Sequence, residues 1–369
     1  MSGKLRLGVI FGGRSGEHEV SLMSARSVLN ALDRTKYEIV TVGITHEGHW
    51  YSGEGTLEAL ESGGTQALDR VALLGEPGQC NLYRWSEGAP LEILSLLDIV
   101  FPLLHGTFGE DGTIQGLFEM AEVPYVGAGV LGSAAAMDKG LFKMLMQAGG
   151  IPTVESRIVL SSEINGDVDA AVDKAESVAP YPLFVKPANL GSSVGVSKVR
   201  SRSDLHEGLM EAARYDRRVL VERGLEAREI EVSVLGNETP EASLPGEVIP
   251  SDEFYSYRAK YIDDRSELLI PAPIAAETAD EARRLAIEAF KAFDGAGMAR
   301  VDFLLERLTD RLYVNEANTI PGFTKISMYP KLWEASGLSY PSLLDRLVDL
   351  ALERQAQKEK LVRSYEAGA

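Results

Sequence analysis

The chain has 369 residues, 45% hydrophobic and 25% charged, the balance of a globular protein with a sizeable core and room for two or three domains. Its 37 Lys and Arg against 55 Asp and Glu leave a formal charge of −18, a field that repels phosphate backbones and anionic lipid, so neither nucleic acid nor a membrane surface is expected as a partner. Cys80, the single cysteine, excludes an internal disulfide and fits a reducing cytosol, and no apolar run approaches the ~18 residues of a membrane helix.

Leu5 to Phe11 reads as a short apolar strand running into Gly12-Gly13-Arg14-Ser15-Gly16, too short for a signal-peptide core. A helix is expected from about Glu17 to Leu32, with Val20, Met23, Val28 and Ala31 near helical spacing. Tyr37 to Ile44 and Ile99 to Leu104 are further strands, the latter ending in His105-Gly106. This alternation predicts a parallel α/β sheet for residues 1 to about 125, with ligand loops at the C-terminal strand ends. From Ser133 a second unit brings a helix over Asp138 to Ala148, a strand ending at Lys186-Pro187, the small-residue loop Gly191 to Gly195, and a strand over Val219 to Glu222. Glu229 to Leu235 alternates apolar and polar residues, the pattern of a half-exposed strand. Residues 251–270 lack periodicity and read as a long functional loop. Thr278 to Glu281 has a capping-box pattern, opening a helix with Leu285, Ala289, Phe290 and Phe293 on one face. Met298 to Leu305 and Leu312 to Ala317 are strands, and Ser342 is read as the cap of a last amphipathic helix, with a frayed tail from Arg363.

The strands around Arg307 to Arg311 carry the sharpest chemical signal. Side chains alternate faces with period two. A turn centred on Thr309 therefore sets Asp302 opposite Glu316 and Arg300 opposite Asn318, with Cβ atoms ~4.5–5.5 Å apart. Two carboxylates and an amide oxygen that close suit Mg²⁺, and a solvated hairpin face is the plain alternative. No Walker A pattern is present, nor the G-x-G-x-x-G of a dinucleotide fold. A nucleotide would instead be gripped between sheets, with Lys186 at a strand end and the backbone, Ser192 and Ser193 of the small-residue loop approaching phosphates. Lys139 opens a helix against its dipole and so calls for an anionic partner. A surface lysine and a flexible loop are the bland alternatives. Glu222 and Glu229 suit an adenine edge or a ribose hydroxyl, or are simply strand carboxylates.

In order, the chain carries Phe11-Gly-Gly-Arg-Ser-Gly-Glu-His-Glu-Val-Ser21, His105-Gly-Thr-Phe-Gly-Glu-Asp-Gly112, Met137-Asp-Lys139, Val185-Lys-Pro187, Gly191-Ser-Ser-Val-Gly195, Tyr257-Arg-Ala-Lys-Tyr261, Arg300-Val-Asp302 and Asn315-Glu-Ala-Asn-Thr-Ile-Pro-Gly322. This series resembles the D-alanine–D-alanine ligases, ATP-grasp enzymes of peptidoglycan precursor synthesis, over about residues 5 to 350. The resemblance implies a Rossmann-like (preATP-grasp) α/β parallel-sheet domain over 1–132, then a two-part ATP-grasp fold. That fold would divide into a central subdomain at 133–226 and a C-terminal domain at 227–369, with a lid loop at 251–270.

It further implies ATP held by Lys139, Lys186, Glu222 and Glu229, an adenine hinge at Arg223 and Leu225, and two Mg²⁺ (or Mn²⁺) on Asp302, Glu316 and Asn318. Lys186 and Lys260 would neutralise phosphate. Glu17 would meet the first D-alanine's ammonium, although a first-turn acid complementing the helix dipole is the common alternative. Arg300 and the Gly322 N–H would form an oxyanion hole, and Ser327 would hold the second carboxylate. Ser192, linked to Glu17 and Tyr261, would help deprotonate the incoming amine. His105 would bond the acyl phosphate, unless it is a buried strand-end histidine satisfied by backbone. Tyr261 points to D-alanine over D-lactate or D-serine as second substrate. A non-catalytic nucleotide-binding ATP-grasp protein is the rival from another class. The family also implies a cytoplasmic homodimer joined through its N-terminal unit.

Overall fold

The computed structural model describes residues 3–78, 80–191, 194–249 and 267–362. The expected roles of Ser192, Ser193, Lys260 and Tyr261, and most of the 251–270 loop, lie outside these residues.

The first sheet comprises β1 (Leu5–Gly12), β2 (Tyr37–Ile44), β3 (Trp50–Ser52), β4 (Asp69–Leu73), β5 (Asn81–Arg84), β6 (Glu92–Leu96) and β7 (Ile99–Pro102), in the order β6-β5-β4-β3-β2-β1-β7. β1 runs parallel to both β2 and β7, and its apolar run Leu7 to Phe11 is buried, as a central strand covered on both faces demands. β3 to β6 add an antiparallel meander that the alternation of strand and helix does not foretell. α1 (His18–Ala31) follows the turn at Gly12 and Gly13, whose φ values of 87° and 103° are open to glycine. Leu22, rather than Met23, faces the core. The remaining helices of this region are α2 (Thr56–Ser62), α3 (Thr113–Ala121), α4 (Val130–Met137) and α5 (Lys139–Ala148).

The second sheet is antiparallel, in the order β10-β9-β11-β8, from β8 (Ser156–Leu160), β9 (Leu183–Pro187), β10 (Ser197–Val199) and β11 (Arg218–Arg223). It is covered by α6 (Ser161–Gly166), α7 (Val168–Glu176) and α8 (Arg202–Ala212), which enclose a core of their own around Val172, Val185, Leu209 and Val221. The third sheet comprises β12 (Ala227–Gly236), β13 (Glu241–Ala242), β14 (Gly246–Ile249), β15 (Glu267–Leu269), β16 (Gly297–Glu306) and β17 (Leu312–Asn318), in the order β15-β14-β12-β16-β17 with β13 beside β12. α9 (Ala276–Ala292), α10 (Met328–Ala335) and α11 (Tyr340–Lys358) complete the chain.

Three expectations are corrected here. β12 is not half-exposed: it lies between β14 and β16, and Glu231 and Ser233 are buried because Glu231 pairs with Arg300 and Ser233 donates to the Tyr329 carbonyl. α9 begins at Ala276 with Ala275 as an N-cap lacking a side-chain bond, so Thr278 falls inside the first turn instead of before it. α11 is capped by Ser339, which accepts from Ser342 N–H, and Pro341 occupies the first turn.

One core joins the first sheet to the last helices. Leu7, Val9, Phe101 and Leu103 pack in the same cluster as Phe323, Tyr329, Leu343 and Leu347. α5 buries Phe142 and Met146 against the third sheet, beside Ile230, Val232 and Phe293. Its first turn is left at the edge of the second sheet, where the Lys139 N–H donates to the Ala188 carbonyl.

Candidate active site

A cleft of about 450 Å³ opens between the second and third sheets and reaches the loops of the first. The chain crosses it after β11, where Gly224 N–H donates to the Pro182 carbonyl and Leu225 lines the wall before β12 begins. Lys186 from β9, Glu222 from β11, Glu229 from β12 and Lys139 from α5 converge on it. Arg223 lines it too, but its guanidinium is turned to Glu155 at 2.6 Å, Glu306 at 3.6 Å and the Tyr313 hydroxyl at 3.3 Å, so its side chain serves the joint.

At the far end stands the β16–β17 hairpin. Asp302 is paired with Glu316, and Arg300 with Asn318. Arg300 fastens both Asp302 oxygens at 2.7 Å and Glu231 at 2.9 Å, and Asn318 Nδ2 donates to Asp302 at 3.1 Å. Lys139 donates to the Leu190 carbonyl at 2.8 Å and lies 3.5 Å from Glu316, the anionic partner its helix position called for.

Lys139, Lys186 and Arg300 are each already countered by a carboxylate. The tightest case is Glu222, 2% exposed, with Lys143 at 2.6 Å on one oxygen and Lys186 at 2.5 Å on the other. Burial opposes its ionisation, but the two ammonium groups outweigh burial and hold its pKa at about 2. Burial likewise opposes the charge on Lys186, and Glu222 overrides it, so that pKa is raised. Burial draws Lys143 down, with Glu222 opposing.

Glu17 ends the loop after β1 as the N-cap residue of α1, without capping the helix through its side chain. Glycines cradle its carboxylate: a Cβ on Gly106 would meet Oε2 at 2.6 Å, and one on Gly191 at 2.8 Å. Gly322 is built the same way, since a Cβ there would meet Ser327 Oγ at 2.7 Å. Ser327 Oγ accepts from Thr324 N–H at 3.0 Å.

His105 departs from expectation. It is buried, with Nδ1 2.9 Å from the Ile320 carbonyl and Nε2 3.0 Å from Ser24 Oγ, so both ring nitrogens are engaged within the protein and neither is offered to an acyl phosphate. Burial lowers its pKa against the pull of Glu17, so the ring is neutral. Of the described candidates, Glu17, Lys139, Lys186, Glu222, Arg223, Leu225, Glu229, Arg300, Asp302, Glu316 and Asn318 line the cleft, while His105, Gly322 and Ser327 are not among its lining residues.

Sequence reasoning missed Lys143, Glu231 and the role of Glu110. Lys143 is one helical turn beyond Lys139, between the apolar Phe142 and Met146, and a lysine on that face is a signal. Glu110 lies in the quoted motif after His105. Burial and the nearby Glu17 charge push its pKa up to about 8.

Two family models match the chain. That for the D-ala D-ala ligase N-terminus covers residues 6–128, and that for the D-ala D-ala ligase C-terminus covers 145–349. The D-alanine–D-alanine ligase of Thermoanaerobacter sp. strain X514 is 53% identical over 367 residues, 96% of this chain and 98% of that protein. The chain belongs to the D-alanine–D-alanine ligase family. Among solved members, the D-alanine–D-alanine ligase of Coxiella burnetii is 38% identical with a TM-score of 0.82, covering 98% of this chain and 97% of that one. The VanG D-Ala:D-Ser ligase of Enterococcus faecalis is 34% identical with a TM-score of 0.84, covering 95% and 100%. These members have the ATP-grasp fold.

In this ligase-family chain the hairpin donors suit a hard divalent cation. Among the described residues no three His, Cys, Asp or Glu side chains form a metal cluster by themselves. Asp302 and Glu316 face each other across the hairpin with the Asn318 carboxamide adjoining, two carboxylates and an amide. Mg²⁺ asks no more of a protein, because water and phosphate oxygens supply the rest of its octahedron. Arg300 and Lys139 lie against the same carboxylates, so the position is one that draws positive charge.

Proposed function

We propose that this chain joins two D-alanines at the expense of ATP, giving D-alanyl-D-alanine, ADP and phosphate for peptidoglycan precursors. One observation carries the reading: a chain 53% identical to a D-alanine–D-alanine ligase over 96% of its length gathers Glu17, Lys139, Lys186, Arg300, Asp302, Glu316 and Asn318 around one cleft. That set also speaks against a nucleotide-binding protein without catalysis.

ATP lies between the second and third sheets. Its adenine sits at the crossing from Glu222 to Leu225, its ribose by Glu229, and its phosphates by Lys139 and Lys186. Lys260, Ser192 and Ser193 complete this set. Asp302, Glu316 and Asn318 would hold two Mg²⁺ or Mn²⁺ ions, which when bound neutralise phosphate charge.

The first D-alanine places its ammonium against Glu17. Its carboxylate oxygen attacks the γ-phosphorus, the bond to ADP breaks, and an acyl phosphate forms. The amine of the second D-alanine, held through its carboxylate by Ser327, loses a proton with help from Ser192 and Tyr261 and attacks the acyl carbon. Arg300 and the Gly322 N–H receive the oxyanion, and phosphate leaves as the carbonyl reforms. The lid over 251–270 keeps water from the acyl phosphate. We place the reaction in the cytoplasm, where ATP is available, and in a homodimer joined through the first unit.

The deciding assay is phosphate release by the purified protein with ATP and Mg²⁺, with products identified by mass. D-alanine alone should support turnover and L-alanine should not. Preference for D-lactate or D-serine in competition at neutral pH would refute D-alanine as the second substrate. Asp302→Ala should abolish D-alanine-dependent ADP release in a folded protein, and unchanged turnover would remove the metal assignment.

A further inference from the structure

Gly322 is bracketed by two residues whose backbone groups are held from outside their own loop. On one side, Ile320 N–H donates to Glu110 Oε1 at 3.1 Å, and the Ile320 carbonyl accepts from His105 Nδ1 at 2.9 Å. Both backbone polar groups of Ile320, one from each flanking peptide unit, are thus gripped by the loop that follows β7. On the other side, Phe323 N–H donates to Ser24 Oγ at 3.2 Å, and its carbonyl accepts from the Tyr340 hydroxyl at 3.0 Å. The two grips are linked, because Ser24 Oγ is 3.0 Å from His105 Nε2. With Nδ1–H given to Ile320, Nε2 is the acceptor and Ser24 the donor, one self-consistent tautomer for a neutral ring.

Glu110 closes this ring. Its second oxygen, Oε2, accepts from Gly106 N–H at 2.8 Å, the residue after His105. The side chain is therefore asked for an acceptor at each end, facing two backbone N–H donors whose sequence positions are 214 residues apart. The ionised carboxylate offers this: burial and Glu17 push its pKa up to about 8 while the two N–H bonds pull it down, so the two-acceptor form is complete above that pH. A carboxamide of the same shape would turn an NH₂ towards one of the two N–H groups and lose that bond.

We propose that Glu110 is a positioning residue for the condensation step: together with His105 it fixes the Ile320 peptide and so aims the Gly322 N–H at the oxyanion. This rests on the reading of Gly322 given above. An oxyanion donor acts within a narrow distance, about 2.7–3.1 Å, so an anchor two residues away decides whether the donor is in place. Glu110 borders the cleft, but both of its carboxylate oxygens are bonded to backbone N–H groups, which separates it from Glu17, the carboxylate assigned to substrate.

The test compares wild type with Glu110→Gln, and with Ser24→Ala, which releases the opposite anchor at Phe323, at a pH above 8 where Glu110 is ionised. Four quantities are measured: kcat, KM for ATP, KM for D-alanine, and the inhibition constant of a phosphinate dipeptide that mimics the tetrahedral intermediate, assayed with ATP. Glu110→Gln should lose roughly 10- to 100-fold in kcat, with both KM values within about twofold. Its affinity for the phosphinate should fall by the same factor. Ser24→Ala should show the same signature more mildly, and keeps the proposal testable if Glu110→Gln fails to fold. Glu110→Asp, which retains two acceptors, should recover part of the loss.

A raised KM for D-alanine with unchanged phosphinate affinity would overturn the proposal, making Glu110 a substrate ligand. Uniform weakening of every ligand alongside a lower melting temperature would overturn it too, as would wild-type kinetics in both variants. A wild-type enzyme that makes the dipeptide yet shows no preference for the phosphinate over D-alanine would instead refute the reading of Gly322.

Discussion

Lys143 stands where a lysine is most costly. It is 2% exposed, on a helix face shared with Phe142 and Met146, and its charge is met by Glu222 at 2.6 Å. Removing one partner of a buried pair leaves the other uncompensated, at a cost of about 3–5 kcal/mol. Glu222 keeps Lys186 as its remaining cation, so Lys143→Ala should lose stability short of that range by denaturant titration. The same cluster sets an acid limit. The folded pKa of Glu222, about 2, lies below its ordinary 4.5, so its contribution to stability is complete above pH 4.5 and is lost as pH falls towards 2. Glu222→Gln should therefore flatten the fall in melting temperature across that window, whatever it does to stability at neutral pH.

At the scale of elements, the hairpin explains both what the sequence made legible and what it hid. A turn centred on Thr309 pairs Asp302 with Glu316, and the structure has that pair. Yet nearer the turn Phe303 faces Val314 and Leu305 faces Leu312, a register offset by one residue. Asn315 is the extra residue of a bulge that restores the pairing at the cleft. Period-two alternation cannot see a bulge, so the pairing came out right although the turn is not centred where it was placed. The long apolar strands and the order of motifs were plain for similar reasons. The meander β3 to β6 was not, because strands of three to five residues lack enough periodicity to register. Glu231 was misread because alternation tells which residues share a face, not whether a neighbouring strand's arginine covers it. His105 and Gly322 depend on contacts between loops more than two hundred residues apart, which no local pattern encodes. A sharper element-level test is the start of β16. Gly297 has φ 71°, and a Cβ there would stand 3.1 Å from the Gly127 backbone nitrogen of the first unit. Gly297→Ala should cost about 1–3 kcal/mol and loosen that seam, read by thermal unfolding.

Over the whole molecule, we propose the division at 1–132, 133–226 and 227–369 as the order in which the chain builds its parts, while the cores group them differently. The first and third units share one core and are bound again by α11, whose Arg354 donates to the Tyr125 and Gly127 carbonyls and whose Lys358 pairs with Glu119. The second sheet has a core to itself. It should therefore open as a separate cooperative unit. Hydrogen exchange should be faster in β8 to β11 than in β1, β7 and α11 without nucleotide, and saturating ADP with Mg²⁺ should slow it there selectively. Equal protection everywhere would count against two bodies.

The paired cations of the cleft have a kinetic corollary. A protein of charge −18 does not draw in an anionic nucleotide from a distance, and Lys139, Lys186 and Arg300 each already hold a carboxylate. On the proposed reading, arrival of the nucleotide with its metal would be an exchange of ions, cation for cation on Asp302 and Glu316 and anion for anion on the lysines. Encounter should proceed without electrostatic acceleration. In stopped-flow, the second-order rate constant for nucleotide capture should hold or rise from low to high ionic strength, as salt screens the −18 charge, unlike the steep fall expected of a bare basic pocket.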